Sequence, residues 1–223
     1  MPIMLARFCG GPQRLSLVTA RVALAAVIVC SWTDSAFADH VEPNDFAPEQ
    51  EAPIDAKPAD PQPEDGDLAG GLAVRYWDIF VRDIKEISDL VGRRKAKPGT
   101  PLAKLDYKAV QGNVLTSRRN DGVGAEIKGY IRFNQAGAYR FVANSNDGIR
   151  VTIAGELLFE DPDVHADQMT NWADVNVADP GWYDLYVLYF ERKNRSTLQL
   201  FWKVPGTDDY AIVPESALAH KGR

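Results

Sequence analysis

The chain has 223 residues, with 25 Lys and Arg against 31 Asp and Glu, and a formal net charge of −6. This length predicts one or two domains, and the absence of a concentrated basic region argues against a nucleic-acid binder. Both cysteines, Cys9 and Cys30, lie in the first 30 residues, which excludes a disulfide framework, a thiolate metal site and a cysteine nucleophile from the rest of the chain.

Residues 1–38 have the pattern of a secretory signal peptide. Three arginines precede an apolar segment at residues 22–30 (VALAAVIVC), which is too short to span a bilayer. The small-x-small sequence AFA at residues 36–38 is typical of a cleavage site. We predict cleavage after Ala38, a secreted or periplasmic protein and no transmembrane segment after cleavage. An uncleaved membrane anchor is the alternative.

Residues 39–70 are rich in proline and in carboxylates. They contain ten acidic residues and one Lys, and prolines recur every five residues from Pro43 to Pro58. Proline removes backbone donors, the carboxylates repel one another, and few apolar groups remain to offset the entropy of ordering. We predict a disordered acidic linker over residues 39–70, acting either as a spacer from the cell envelope or as a passive N-terminus.

The first part of the following segment mixes extended and helical patterns. Residues 72–80 (LAVRYWDIF) predict a strand, and apolar residues at helical spacing predict a short helix within residues 81–91. Residues 102–107 (LAKLDY) predict a short edge strand. Polar loops with Gly and Pro separate these elements.

From residue 127 onward the hydrophobic pattern alternates with a period of two. It predicts strands over residues 127–133, 139–143, 149–153 and 157–159. The turn Ser145-Asn146-Asp147-Gly148 is typical of a hairpin, since Asn and Asp tolerate the left-handed region and Gly supplies positive φ. We interpret this stretch as a β-meander.

The rest of the chain continues the same pattern. It predicts strands over residues 174–177, 182–190, 197–204 and 212–214, a hairpin loop over 191–196 and a helical turn within 215–219. Many short strands with frequent turns and little helix predict an all-β, antiparallel sandwich or barrel. The predicted organisation is therefore a signal peptide (1–38), a linker (39–70) and a β-domain (71–223).

The order of short motifs from about residue 72 to 218 resembles the protective-antigen fourteen-kilodalton (PA-fourteen, or PA14) domain family. Each motif is weak alone, but six in the family's order make the resemblance specific. They are GYI and QAGAYRF at residues 129–141, SNDGIRV at 145–151, PGWY at 180–183, LYFE at 188–191, LQLFW at 198–202, and PG with IVP at 205–214.

The resemblance implies a β-sandwich or barrel module of secreted and surface proteins, which in lectin-like members binds sugars through calcium. Two adjacent Asp residues of those members correspond to Asn146 and Asp147, and a ligand Asn in a later loop corresponds to Asn194. The resemblance thus implies Asn146, Asp147 and Asn194 as calcium and sugar ligands. Calcium prefers anionic oxygens, and Asn146 keeps an oxygen ligand but lacks the charge.

Simpler alternatives stand beside each of these sites. The Asn146-Asp147-Gly148 turn closes a hairpin without any ligand, and Asn194 fits an ordinary polar loop. Trp172 is a candidate for stacking on a sugar ring, or is buried under a covering loop. The acidic loop at residues 160–167 (EDPDVHAD) is either a metal site or a solvated loop.

No catalytic constellation is evident, so we predict a protein that is not an enzyme. The sequence lacks a nucleophile-elbow serine and a phosphate-binding glycine loop. The first functional hypothesis is a non-catalytic module that recognises carbohydrate, such as a cell-envelope polysaccharide, with possible assistance by calcium. The alternative is a structural module of the cell envelope that binds an envelope protein without metal. A third hypothesis is an enzyme acting on envelope glycans, whose activity would have to come from a partner.

Overall fold

The computed structural model describes residues 52–222, which form two β-sheets packed face to face. The predicted signal peptide and residues 39–51 of the predicted linker lie outside the described residues. Helix α1 spans Ile84–Leu90, and turns of 3-10 helix span Asp65–Asp67 and Glu215–Ala217. The strands are β1 (Ile54–Ala56), β2 (Leu68–Gly70), β3 (Ala73–Asp78), β4 (Lys97–Pro98), β5 (Asp106–Ala109), β6 (Val123–Phe133), β7 (Gly137–Asn146), β8 (Ile149–Ile153), β9 (Glu156–Asp161), β10 (Gln168–Met169), β11 (Ala173–Val177), β12 (Gly181–Glu191), β13 (Ser196–Lys203), β14 (Ala211–Ile212) and β15 (Leu218–Lys221).

The two sheets confirm the predicted all-β, mainly antiparallel sandwich. The first sheet has the order β1-β11-β7-β13-β14, with β10 beside β7 and β5 beside β13. The second has the order β2-β15-β6-β12-β8-β9, with β3 beside β6 and β4 beside β3. The pair of β1 with β11 is parallel, and the other pairs among the described strands are antiparallel.

The core lies between the sheets and follows from the alternation in the strands. In β12, every second residue from Tyr183 to Tyr189 belongs to this core, as the period of two predicts. Aromatic rings fill one end of it, where the Phe133 ring centroid lies 4.5 Å from that of Tyr139 and 4.9 Å from that of Tyr183. Burial of this apolar surface is the main favourable contribution to folding.

Helix α1 covers the outer face of the second sheet. Asp83 caps its N-terminus, accepting a 2.7 Å hydrogen bond from the backbone N–H of Lys85. Ile84 and Ile87 are fully buried at helical spacing, and they pack in a second cluster with Trp77, Val81, Leu188 and Phe190. The outer face of β12 is therefore covered at Leu188 and Phe190, which explains why the end of this strand is apolar on both sides.

The predicted β-meander is wrong in its strand pairing. Strands β6 and β7 belong to different sheets, and so do β7 and β8. Only β8 and β9 within this stretch pair as a hairpin. The Asn146-Asp147-Gly148 turn is therefore a corner that carries the chain from one sheet to the other, and Gly148 is not among the glycines with positive φ.

Gly148 is needed for close packing. A Cβ built at Gly148 would lie 2.4 Å from a ring carbon of Phe190 and 3.0 Å from the carbonyl oxygen of Asp161. Such a distance to a ring carbon is shorter than any normal van der Waals contact. The corner therefore requires a residue without a side chain, for a different reason from the one that the turn sequence suggests.

The prediction of a disordered linker is wrong for residues 54–70, because part of this segment belongs to the sandwich. Strand β1 pairs with β11, and β2 pairs with β15. Ala56 is buried and Ile54 packs against the core. The side chain of Gln62 also holds Trp182, accepting from its backbone N–H and donating to its carbonyl, both at 2.8 Å. The folded domain thus begins before the predicted boundary at residue 71.

The last strand was not predicted. The helical turn is confirmed only at Glu215–Ala217, after which β15 pairs with β6 and β2. Gly129 in β6 allows this approach, because a Cβ there would lie 2.2 Å from the carbonyl oxygen of Ala219. No helix within residues 52–222 has the length and apolar character that a bilayer-spanning helix needs.

Candidate functional site

Two corners of the sandwich meet at one end of the molecule. Strands β7 and β13 pair in one sheet and β8 and β12 in the other, so the β7–β8 and β12–β13 connections change sheets side by side. The backbone N–H of Asp147 donates to the carbonyl of Phe190, and the N–H of Phe190 donates to the carbonyl of Gly148, both at 3.0 Å. The peptide bond between Asn146 and Asp147 is cis.

Asp147 links three segments of the chain at this junction. Its Oδ1 accepts from the backbone N–H of His165 at 3.1 Å, and its Oδ2 accepts from that of Arg192 at 2.6 Å. The residue is only 3% exposed. Burial raises the pKa of Asp147 above its ordinary value, against the lowering effect of the two backbone hydrogen bonds.

Asn146 is oriented by a neighbouring carboxylate. Its Nδ2 donates to Oδ1 of Asp167 at 3.0 Å, and the hydroxyl of Thr197 donates to the same oxygen at 3.0 Å. The carbonyl of Asn146 accepts from the hydroxyl of Tyr189 at 2.6 Å. The amide group of Asn146 thus has a fixed direction, with its Nδ2 toward the β10 side of the corner.

Asn194 lies at the tip of the β12–β13 connection, in the left-handed region with φ of 79°. Its backbone N–H donates to Oδ1 of Asp121 at 2.8 Å, while the side chain is exposed. The N–H of Gly122 also donates to the carbonyl of Arg192 at 3.2 Å. These bonds fasten the connection to the segment that precedes β6.

A pocket of about 490 Å³ lies between the two corners, and Asn146, Asp147 and Asn194 all line it. The structure therefore brings together three of the four residues that the sequence singled out. The acidic loop contributes Val164, His165 and Ala166 to the same pocket. Inside that loop, His165 Nε2 lies 3.3 Å from Asp161 Oδ2.

Trp172 does not line this pocket. It is half-buried before β11, and the guanidinium of Arg140 lies 3.6 Å from its ring centroid. The same guanidinium pairs with both carboxylate oxygens of Asp174, at 2.7 and 2.9 Å. One ring face of Trp172 is therefore occupied, and its stacking on a sugar stays a prediction for a separate part of the surface.

The basic side chains of the β12–β13 connection are not predicted as site residues by any motif in the sequence. Arg192, Lys193 and Arg195 line the pocket together with Asn194. The signal was present as the run ERKNRS at residues 191–196, but short basic runs are common in solvated loops. Only the pairing of the two corners places these cations around Asp147.

Glu191, the last residue of β12, was also overlooked. It is fully buried, and neither carboxylate oxygen has a hydrogen-bond partner among the described residues. Burial, followed by the charges of Asp121 and Asp147, raises the pKa of Glu191 to about 8. Glu191 is therefore a neutral carboxyl group below that pH, and it directly precedes Arg192, which lines the pocket.

The donor set of the pocket fits a calcium ion poorly. Calcium takes six to eight oxygen ligands, usually with several carboxylates among them. Asp147 is the single carboxylate lining the pocket, and both of its oxygens already accept backbone hydrogen bonds. No group of three or more His, Cys, Asp or Glu residues within residues 52–222 is arranged to hold a metal ion. Calcium binding therefore stays a prediction.

Comparison with known proteins identifies one matching family. The family model described as the PA14 domain matches residues 115–216, a range that contains both corners and the pocket. No protein of curated function matches the chain significantly.

Several solved structures share the fold. The PA14 sugar-binding domain from an RTX adhesin has a TM-score of 0.57 and 16% identity, and the match covers 68% of this chain and 99% of that one. The epithelial adhesin 9 A domain from Candida glabrata, in complex with Galβ1-4GlcNAc, has a TM-score of 0.58 and 11% identity, over 77% of this chain and 97% of that one.

A third similar structure is an anti-sigma factor domain-containing protein, with a TM-score of 0.58 and 16% identity. The match covers 70% of this chain but only 50% of that protein, so this chain corresponds to about half of its length. At these identities, all three likenesses establish the fold alone.

Proposed function

We propose that this chain, whose residues 115–216 match the PA14 domain family, is a non-catalytic carbohydrate-binding module. The pocket between the β7–β8 and β12–β13 connections is the proposed binding site. The observation that carries the proposal is that Asn194, far in sequence from the adjacent pair Asn146 and Asp147, lines one open pocket with them.

The geometry supports this proposal through the kind of groups that it presents. Sugar hydroxyls bind to fixed polar groups, and an amide both donates and accepts hydrogen bonds. Asn146 is held by Asp167, while Asn194 is exposed on a connection fastened at its backbone. The oriented amide of Asn146 and the exposed amide of Asn194 can therefore both serve hydroxyl groups of one ligand.

The structures of similar fold are consistent with the same role. One is described as a sugar-binding domain, and another was solved with a galactose-containing disaccharide. We extend that role to this chain as part of the proposal. Export to the periplasm or cell surface, expected from residues 1–38, belongs to the same proposal, and so does a glycan or envelope polysaccharide as partner.

A glycan array tests the proposed function, with the protein applied in calcium and in a chelator. Three proteins are compared: wild type, Asn194→Gly, which removes the side chain and tolerates φ of 79°, and Asn134→Gly as the control. Asn134 is an exposed residue in the turn before β7, at the far end of that strand from the pocket.

We expect wild type and the Asn134 variant to bind the same glycans, and the Asn194 variant to bind them about tenfold more weakly. Absence of glycan binding in both solutions would contradict the proposal. A pull-down from periplasmic extract that recovers a protein and no polysaccharide would favour the alternative, a protein-interaction module of the envelope.

A further inference from the structure

We propose that the pocket recognises glycans that carry an anionic group, such as a carboxylate, sulfate or phosphate on a sugar, and does so without calcium. This inference rests on the proposed carbohydrate-binding function and specifies its ligand. The residues that set the specificity are the three cations of the β12–β13 connection, Arg192, Lys193 and Arg195.

The charge balance of the pocket favours an anion. Three cationic side chains line it against one carboxylate, that of Asp147. That carboxylate accepts hydrogen bonds from the backbone N–H groups of His165 and Arg192, and the charge of Arg192 also acts on it. Much of the positive charge of Arg192, Lys193 and Arg195 is therefore left for a ligand. A metal ion in the same pocket would be repelled by these cations.

None of the three cations forms an ion pair with any residue between 52 and 222, although the charge of Arg192 acts on Asp147. Lys193 and Arg195 are exposed, and Arg192 is half-buried. By contrast, Arg75, Arg140 and Arg150 elsewhere in the sandwich are each paired with a carboxylate.

The connection that carries these cations is held in place before a ligand arrives. Its first residue, Arg192, donates from its N–H to Asp147 and accepts at its carbonyl from Gly122. Its third residue, Asn194, donates from its backbone to Asp121. A ligand therefore does not have to order this backbone, and the lost entropy is limited to the side chains.

The chemistry of these side chains matches an anionic sugar. A guanidinium binds a carboxylate, sulfate or phosphate with two parallel hydrogen bonds, and an ammonium binds the same groups as a point charge. The amides of Asn146 and Asn194 remain available for hydroxyl groups of the same ring. The cations thus supply the positive charge that a bound ion would bring to a sugar site.

The test applies the full-length protein in chelator to an array of neutral and acidic glycans. The affinity for the best acidic glycan and for its neutral counterpart, made by reducing the carboxylate or removing the sulfate or phosphate, is then measured by calorimetry. We expect the acidic form to bind at least about tenfold more tightly. The affinity should be unchanged by calcium and should fall as salt rises from about 0.05 to 0.5 M.

Two triple variants separate a specific site from general electrostatic attraction. In one, Arg192, Lys193 and Arg195 become Gln. In the matched control, Arg93, Arg94 and Lys95, a second run of three cations in an exposed loop outside the pocket, become Gln. Both variants lower the net charge by the same amount, and thermal unfolding checks that both are folded. We expect a loss of about tenfold or more in the first and less than about twofold in the control.

The possible results have distinct meanings. Equal binding of neutral and acidic forms, equal losses in both triple variants, or acidic binding that requires calcium would each overturn the inference while leaving the carbohydrate-binding function in place. Absence of binding to every glycan, with and without calcium, would overturn the proposed function as well.

Discussion

The backbone N–H of Arg192 donates a 2.6 Å hydrogen bond to Oδ2 of Asp147, across a sequence separation of 45 residues. This contact joins the connection that carries the cations to the corner that carries Asn146. The other oxygen of Asp147 holds the acidic loop through His165. One buried carboxylate therefore sets the spacing of the three segments that form the pocket.

Replacement of Asp147 should destabilise the domain as well as the pocket. Asp147→Ala leaves the N–H groups of His165 and Arg192 without their acceptor, and each unsatisfied group costs about 1–3 kcal/mol. We expect a loss of about 2–4 kcal/mol in the free energy of unfolding, measured in urea. Asp209→Ala, at an exposed residue, is the control and should change it by less than about 0.5 kcal/mol. Equal stability of the two variants would contradict this role of Asp147.

Substitution of Gly148 tests the packing of the corner. In Gly148→Ala the new methyl group meets the Phe190 ring at 2.4 Å, and relief of such overpacking costs about 1–3 kcal/mol. Gly66→Ala is the matched control, because a Cβ there has no atom within 4 Å. Urea unfolding should show the loss for Gly148 only. If Gly148→Ala had the same free energy of unfolding as wild type, the Phe190 ring would have to move aside without a cost in stability.

Parts of this fold follow from the sequence, and the exceptions have physical causes. Long strands such as β12 and β13 show a clear period of two because their inner residues are buried. The corner at Asn146 was mistaken for a hairpin because turn residues fix a local bend and not the sheet that the next strand joins. Only the family resemblance predicts a binding role for Asn146, Asp147 and Asn194. These residues lie together because the β7–β8 and β12–β13 connections both change sheets, and no local sequence pattern predicts such a change.

The cations and the buried carboxylate show the same limit. Arg192, Lys193 and Arg195 look like an ordinary polar loop in the sequence, because their significance comes from Asp147 across the pocket. The sequence pattern places Glu191 at the start of that loop, since a carboxyl group is rarely buried without a partner. The prolines around strand β1 favour a disordered segment over a strand, although the pairing of β1 with β11 needs only three residues.

The first residues of the fold should contribute measurably to stability. A chain that begins at residue 71 lacks β1, β2 and Gln62, whereas a chain that begins at residue 52 keeps all three. We expect the shorter chain to have a Tm lower by about 5–10 °C, which corresponds to about 2–3 kcal/mol. Equal Tm values in calorimetry would restore the interpretation of residues 54–70 as a passive linker.

Glu191 should make stability depend on pH. Its pKa is about 8 in the folded chain against an ordinary value of 4.5, so between these values the folded state holds a proton that the unfolded state has lost. Stability therefore falls as pH rises through this window, by about 1.4 kcal/mol per pH unit at most, and becomes independent of this group above pH 8.

Glu191→Gln should remove this contribution, because Gln is neutral at every pH. Urea unfolding of wild type and variant from acid to alkaline pH isolates it, since the other titrating groups are shared. The variant should gain stability relative to wild type as pH rises, with no further gain above pH 8. A constant difference across this range would show that Glu191 has an ordinary pKa.

The missing carboxylate at position 146 can be restored to test why calcium fits the pocket poorly. In Asn146→Asp the new carboxylate faces Oδ1 of Asp167, to which Asn146 now donates a hydrogen bond at 3.0 Å. Two carboxylates in contact repel each other, so the variant should be less stable than wild type in chelator. A divalent cation between them relieves the repulsion and adds stability by mass action.

We therefore expect calcium in the millimolar range to raise the Tm of Asn146→Asp and to leave that of wild type unchanged, as followed by thermal unfolding. Magnesium is the control, since it demands a stricter octahedral geometry. A rise in the Tm of wild type with calcium would indicate that one carboxylate and two amides suffice to bind the ion. Calcium would then be part of the proposed binding site.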